Sequence, residues 1–296
     1  FYVNLLTWPF ASVGWVTSLV QKAAASQARI NAFLDVVPEI SNAADTPAEI
    51  QGRITFKGVG LTYPDSGIRA LEDVNFDLKP GQTLAIIGRT GSGKTSLAQL
   101  VARLYDPTDG VVEVDGIPLS KLHLPSLRAS IGYVPQDVFL FSDSIAANIA
   151  FGVDDAAFEG IEQAAKDAHV HDNIAAFPEG YDTLLGERGV NLSGGQKQRI
   201  SIARAVLRLP RILIFDDCLS AVDTETEAVI LGNLRRIMKD RTSIIVSHRV
   251  STVRDADLIL VLDEGEVVER GSHSELLAHG GLYSELQRKQ DRPASE

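Results

Sequence analysis

TLAIIGRTGSGKTSLAQLVARL, Thr83 to Leu104, holds three signals in one run. Leu84 to Ile87 are apolar without alternation, as in a strand buried on both faces of a parallel sheet. A glycine-rich turn follows, and Ser96 onward reads as helix. The turn, GRTGSGKT from Gly88 to Thr95, fits G-x-x-x-x-G-K-[ST] in the strand-loop-helix context that the motif requires. Gly88, Arg89, Thr90, Gly91, Ser92 and Gly93 are expected to curl with their N–H groups inward, where the following helix adds its positive end. Such a cradle suits phosphate. Lys94 is then expected at the β- and γ-phosphates, the Thr95 hydroxyl on Mg²⁺, and Ser96 at the α-phosphate. A chance glycine-rich turn is the competing reading, and the order of strand, loop and helix argues against it.

Outward from this unit, RILIFDD (211–217), TSIIVS (242–247) and DLILVLD (257–263) are further wholly apolar strands. RITFKGVGLTY (53–63), LEDVNFDL (71–78) and GVVEVDG (110–116) alternate, as half-buried antiparallel strands do. Helical runs are expected at 93–105, 194–208 and 224–238. The class is therefore α/β: a phosphate-loop NTPase core with a mainly parallel sheet and an antiparallel β subdomain. Strand ILIF ends on Asp216, which supplies the second half of a Mg²⁺ site beside the loop.

The 296 residues are 45% apolar and carry a net charge of −11, which argues against a surface built mainly to hold nucleic acid, and no such partner is expected. A single cysteine, Cys218, allows no internal disulfide and reads as a small packed residue. The chain begins with Phe1, as a fragment or processed product would. Its first twenty residues carry no charge, and no secretory signal is legible in them. From the residues alone they fit a membrane helix or an amphipathic or buried one. Helix is expected to continue through 16–36. SNAADTPAE (41–49) then reads as a linker, and the end of the chain as a frayed tail.

Between the loop and Asp216 lies NLSGGQKQR, Asn191 to Arg199, opening a helical run. Here the sequence resembles the ATP-binding-cassette (ABC) family. LSGGQ, Leu192, Ser193, Gly194, Gly195 and Gln196, matches the family's signature motif, a helix N-terminus that closes over the γ-phosphate held by a second cassette. The resemblance implies ATP and Mg²⁺ as ligands and a head-to-tail dimer around two nucleotides. It implies a helical subdomain around the signature, and further roles for single residues. Tyr63 in LTYPDS stacks on adenine. Gln136 in YVPQDVFLF touches Mg²⁺ and the attacking water. Asp223 in SAVD crosses the dimer interface, and His248 in IIVSHR bonds the γ-phosphate. GERG (186–189) faces the transmembrane partner.

WVTSLVQKAAASQARINAFLDVVPE (15–39) is similar to the end of the sixth transmembrane helix of an exporter. The resemblance therefore implies the end of the last membrane helix and its extension over 1–37, a linker over 38–50, a nucleotide-binding domain over 51–290 and a tail over 291–296. It also implies a bacterial multidrug- or lipid-exporter-like subunit in the plasma (inner) membrane, this domain on the cytoplasmic side and a membrane domain in the same parent chain. In one respect the sequence departs from the family. The residue after the strand Asp is normally Glu and polarises the attacking water; here it is Asp217, shorter by about 1.5 Å. Such misplacement can lower a rate on the order of 10²-fold. The replacement resembles the low-activity site of heterodimeric exporters, which favours a heterodimer. A homodimer working through Asp217, or a nucleotide-gated regulatory module, are the alternatives.

Overall fold

The computed structural model describes residues 1–42, 44–219 and 224–291. It divides into two compact units, 1–41 and 42–296. In chain order the elements are α1 (Tyr2–Leu34), β1 (Ile54–Thr62), β2 (Arg69–Leu78), β3 (Thr83–Gly88), α2 (Lys94–Val101), β4 (Asp109–Val114), β5 (Ile117–Pro118), α3 (Leu124–Ser130), β6 (Ile131–Val134), α4 (Ile145–Ala150), α5 (Phe158–Asp167), α6 (His171–Ala175), α7 (Gly194–Leu207), β7 (Ile212–Asp216), α8 (Thr224–Met238), β8 (Thr242–Val246), α9 (Val250–Val253), β9 (Leu258–Asp263), β10 (Glu266–Gly271), α10 (His273–His279) and α11 (Leu282–Gln290).

The first unit is α1. None of its side chains is buried, and it is long and apolar enough to cross a membrane. Its 33 residues span about 50 Å, more than a hydrocarbon core of about 30 Å. Three hydroxyls in its apolar part bond back into the helix. Thr7 donates to the Val3 carbonyl, Ser12 to Pro9 and Thr17 to Val13. The helix starts at Tyr2 and stops at Leu34, two residues short of the expected end at 36.

The second unit is built on two sheets. β10-β9-β3-β8-β7-β6 form a six-stranded sheet, parallel throughout except for β10 at its edge. Every residue of β7 and β8 is buried, which is why their sequences are unbroken apolar runs. β2-β1-β4-β5 form a separate antiparallel sheet whose alternating sequences bury one face. Helices α4 to α7 enclose a shared core that includes Ile145, Ile149, Ile161, Ile174 and Ile200.

Some expectations need correction. Helix α2 ends at Val101 and not at 105, because Arg103 adopts a left-handed backbone (φ 47°) and its guanidinium turns back onto Asp106. β6 was not legible: it has four residues, and Gly132 is there because a Cβ would meet the Ala205 carbonyl at 2.9 Å. The expected linker 38–50 is divided. Asn42 Oδ1 accepts from the Leu124 N–H, Ala48 N–H donates to the Ser126 hydroxyl, and Ile50 is buried, so the second unit begins at 42 and not at 51. Beyond it, Asp115 accepts from the backbone N–H groups of Gln51, Gly52 and Arg53 through one carboxylate. The Gly52 carbonyl accepts from Thr242 at the start of β8. Of the expected tail 291–296, only Asp291 is among the described residues.

Candidate functional site

The phosphate-loop turn is held open by two steric facts. At Gly88 a Cβ would lie 2.1 Å from the Leu262 carbonyl, so the loop leaves β3 against β9 with no room for a side chain. At Gly93 φ is +95°, and a Cβ would meet the Ala70 carbonyl at 2.3 Å. Gly93 is also the N-cap of α2 and supplies no side-chain cap, leaving the first N–H groups of that helix turned to the loop. Ser92 Oγ is buried there without a hydrogen-bond partner. The Lys94 ammonium folds back onto the carbonyls of Gly88 (3.1 Å) and Arg89 (2.7 Å). Burial pulls its pKa down, and the nearby Asp217 and Asp216 oppose that. An anion with several oxygens fits this cradle: it would satisfy Ser92 and draw Lys94 off the loop carbonyls.

Asp216, at the end of β7, is buried, and burial raises its carboxyl pKa. Two hydrogen bonds oppose this: Thr95 Oγ1 donates to one oxygen (3.0 Å), and the Tyr133 hydroxyl to the other (3.2 Å). Thr95 and Asp216 thus face each other across the gap between loop and strand. No cluster of three or more His, Cys, Asp or Glu occurs among the described residues. That fits Mg²⁺, which takes one or two protein ligands and completes its shell with phosphate oxygens and water.

Asp217 has a left-handed backbone, φ 45°. Its N–H continues the sheet by donating to the Val246 carbonyl (2.9 Å). Burial raises its carboxyl pKa, opposed first by His248, whose backbone N–H it accepts, and then by Lys94 and Arg249. Cys218 is buried as expected, and its thiol is pushed far up by burial.

These groups line one cleft with about 790 Å³ of empty space. Its walls carry Tyr63, Thr90, Gly91, Gly93, Lys94, Thr95, Ser96, Gln136, Asp216, Asp217 and His248. Tyr63 bonds through its hydroxyl to Ser96 (2.8 Å) and donates to Gln99, with its ring edge-on to Tyr105. Gln136 is exposed just beyond β6. The signature residues Leu192 to Gln196 do not line this cleft. Ser193 caps α7 in a reciprocal box: its hydroxyl accepts from Gln196 N–H, and Gln196 Oε1 accepts from Ser193 N–H. Ser193 and Gly194 are exposed and Leu192 is buried. Asp223 lies outside the described residues.

Two participants escaped sequence reasoning. Tyr133 orients the second oxygen of Asp216 from a strand too short to read. Arg69 forms part of the cleft wall from the start of β2, and nothing in its neighbourhood signals that.

The profile of the ABC transporter family matches residues 71–220. The chain is 44% identical to the probable multidrug resistance ABC transporter ATP-binding/permease protein YheI of Bacillus subtilis, over 98% of this chain and 50% of that one. It is 45% identical to the multidrug resistance-like ATP-binding protein MdlA of Escherichia coli, over 99% of this chain and 50% of that one. It is 44% identical to an ATP-dependent lipid A-core flippase of Pseudomonas fluorescens, over 96% of this chain and 47% of that one. A solved structure of a bacterial Atm1-family ABC exporter with ATP bound superposes with TM-score 0.89 at 39% identity, over 100% of this chain and 52% of that one. The chain spans about half the length of the curated relatives it matches.

Proposed function

The chain belongs to the ABC transporter family and carries its ATP-binding domain; from that premise we propose that the cleft hydrolyses MgATP to drive export through a membrane domain of the same parent protein. One observation carries this reading: phosphate loop, Asp216, Asp217, Gln136 and His248 open onto a single cleft. Lys94 leaves the Gly88 and Arg89 carbonyls for the β- and γ-phosphates, and Ser96 turns to the α-phosphate. Tyr63 offers its ring to adenine. Thr95, Asp216 and Gln136 hold Mg²⁺, which when bound neutralises charge on the phosphate oxygens. Water attacks the γ-phosphorus, the bond to the β-bridging oxygen breaks, and ADP leaves with inorganic phosphate. Asp217 orients the water and takes its proton, and His248 bonds the γ-phosphate. Leu192 to Gln196 cover the γ-phosphate of a second cassette, and Asp223 relays between the two.

Helix α1 serves as the end of the last membrane helix, with the cassette on the cytoplasmic side of the inner membrane. Its length, its apolar surface and the three hydroxyls that bond back into the helix support this. The fused ATP-binding/permease relative, which the chain matches over half its length, supports it too.

The short acid at 217 supports a low-activity site within a heterodimer. Asp217→Ala then leaves turnover of the full assembly within about twofold, whereas loss of the partner's equivalent Glu stops it. A homodimer working through Asp217 is the second reading. It is favoured by the hydrogen bond that ties the Asp217 carboxylate to His248 at the head of the same cleft. There Asp217→Asn stops turnover of the chain assayed alone. Steady-state ATPase of the purified chain, alone and with an adjacent-frame exporter subunit, separates the two. For either reading Lys94→Ala abolishes ATP binding in this cleft, read by nucleotide titration of the purified chain, and unchanged binding would overturn the cleft as the ATP site.

A further inference from the structure

The segment that carries His248 leaves the sheet at Ser247, whose N–H makes the last ladder bond, to the Ile86 carbonyl (3.1 Å). Past that point no strand neighbours it. It is held by side chains from three separate places in the fold. The Asp217 carboxylate takes the His248 N–H. Glu227, buried on α8, pairs with Arg249 and accepts from the Thr252 hydroxyl (2.6 Å). The third holder is Gln290, the last residue of α11, 42 residues further along the chain. Its Nε2 donates to the His248 carbonyl (2.6 Å), and its Oε1 accepts the Val250 N–H (2.8 Å).

One planar amide therefore spans the two peptide groups that flank Arg249, as a neighbouring strand would. Val250 is the first residue of α9, and its N-cap, Arg249, supplies no side-chain cap. Gln290 fills that role from outside. Only a carboxamide can do both at once, because it offers a donor and an acceptor side by side. A carboxylate would face the His248 carbonyl with like charge, and an ammonium could not accept from Val250. The helix bearing Gln290 is firmly mounted. Glu269 accepts from the N–H groups of Leu282 and Tyr283, Tyr283 is fully buried, and its hydroxyl bonds His273 (2.7 Å).

We infer that Gln290 is a positioning residue for His248, clamping the backbone on both sides of Arg249 from the last helix. This rests on the reading of His248 as the γ-phosphate contact. It adds a dependence of the switch segment on the carboxyl-terminal helix, so that displacing α11 would lower the rate of hydrolysis without touching nucleotide affinity.

Amide hydrogen exchange and ATPase kinetics of the full chain in detergent test it, the kinetics run with Asp217→Glu in every variant if the chain is silent alone, so that hydrolysis in this cleft is what is read. In Gln290→Ala the Val250 amide should exchange about tenfold faster, and in Gln290→Glu, which keeps the acceptor, it should stay near wild type. Both variants should lower kcat about threefold or more while KM for ATP holds within about twofold. Adding Gln290→Ala to His248→Ala should lower kcat no further. If Gln290→Ala exchanges and turns over as wild type while His248→Ala does not turn over, the clamp is wrong. Faster exchange with unchanged kcat also overturns it, since the contact is then only structural. If His248→Ala itself leaves kcat intact, the reading of His248 fails, a result distinct from either.

Discussion

Asp217 combines a left-handed backbone with a half-buried carboxylate, and both bear on why the side chain is short. Left-handed geometry is tolerated by Asn and Asp far better than by longer residues. Replacing Asp217 by Glu should therefore lower stability by about 1 kcal/mol while lengthening the reach toward water. Melting temperature and ATPase rate of Asp217→Glu, measured together, check this. Burial raises the folded carboxyl pKa above the ordinary 3.8. The folded protein then holds this proton more tightly than the unfolded chain. That contribution is complete below about pH 4 and is lost as pH rises through the folded pKa. In metal- and nucleotide-free protein at pH 7.5, Asp217→Asn should therefore melt higher than wild type, and the gap should close as the pH falls toward 4. At this scale the sequence was informative wherever chemistry is contiguous: Lys94, Thr95, Asp216 and Asp217 announce themselves by their immediate neighbours. Tyr133 and Gln290 do not, because each acts on a residue more than 40 positions away.

Elements differ in how well they were written into the chain. β3, β7, β8 and β9 are buried on both faces, so their unbroken apolar runs had one good explanation. β6 carries only Ile131 to Val134, too few residues to display a period. Helix α2 looked longer than it is because Arg103 and Leu104 are good helix formers, and the turn onto Asp106 overrides that preference. The start of α2 is the element most sensitive to change. Gly93→Ala forces a Cβ against the Ala70 carbonyl at a backbone angle suited to glycine. It should reduce stability by about 2 kcal/mol or more and abolish ATP binding, as thermal melts and nucleotide titration would register. At the start of α7, Ser193→Ala removes the capping box and should lower stability by about 1 kcal/mol. If Ser193 serves the second cassette as proposed, its effect on hydrolysis should be far larger than that loss.

For the whole molecule, the second compact unit begins at 42, inside the stretch that the sequence reads as a linker. Asn42 and Ala48 sit in a turn-prone stretch poor in large apolar residues, and their contacts with Leu124 and Ser126 are made across some 80 residues. A chain expressed in bacteria should resist alkaline carbonate extraction from membranes, and deletion of 1–41 should release it; release of the intact chain would count against α1 as a membrane helix. The arrangement around Asp115 bears on what happens when the chain is tugged from its amino-terminal side. Pulling reaches Gln51, Gly52 and Arg53 before it reaches β1. There one carboxylate grips three N–H groups next to β4, while Thr242 grips the Gly52 carbonyl at the foot of β8. The load is shared between both sheets at once, so traction moves the cassette as a body instead of drawing β1 out from between β2 and β4.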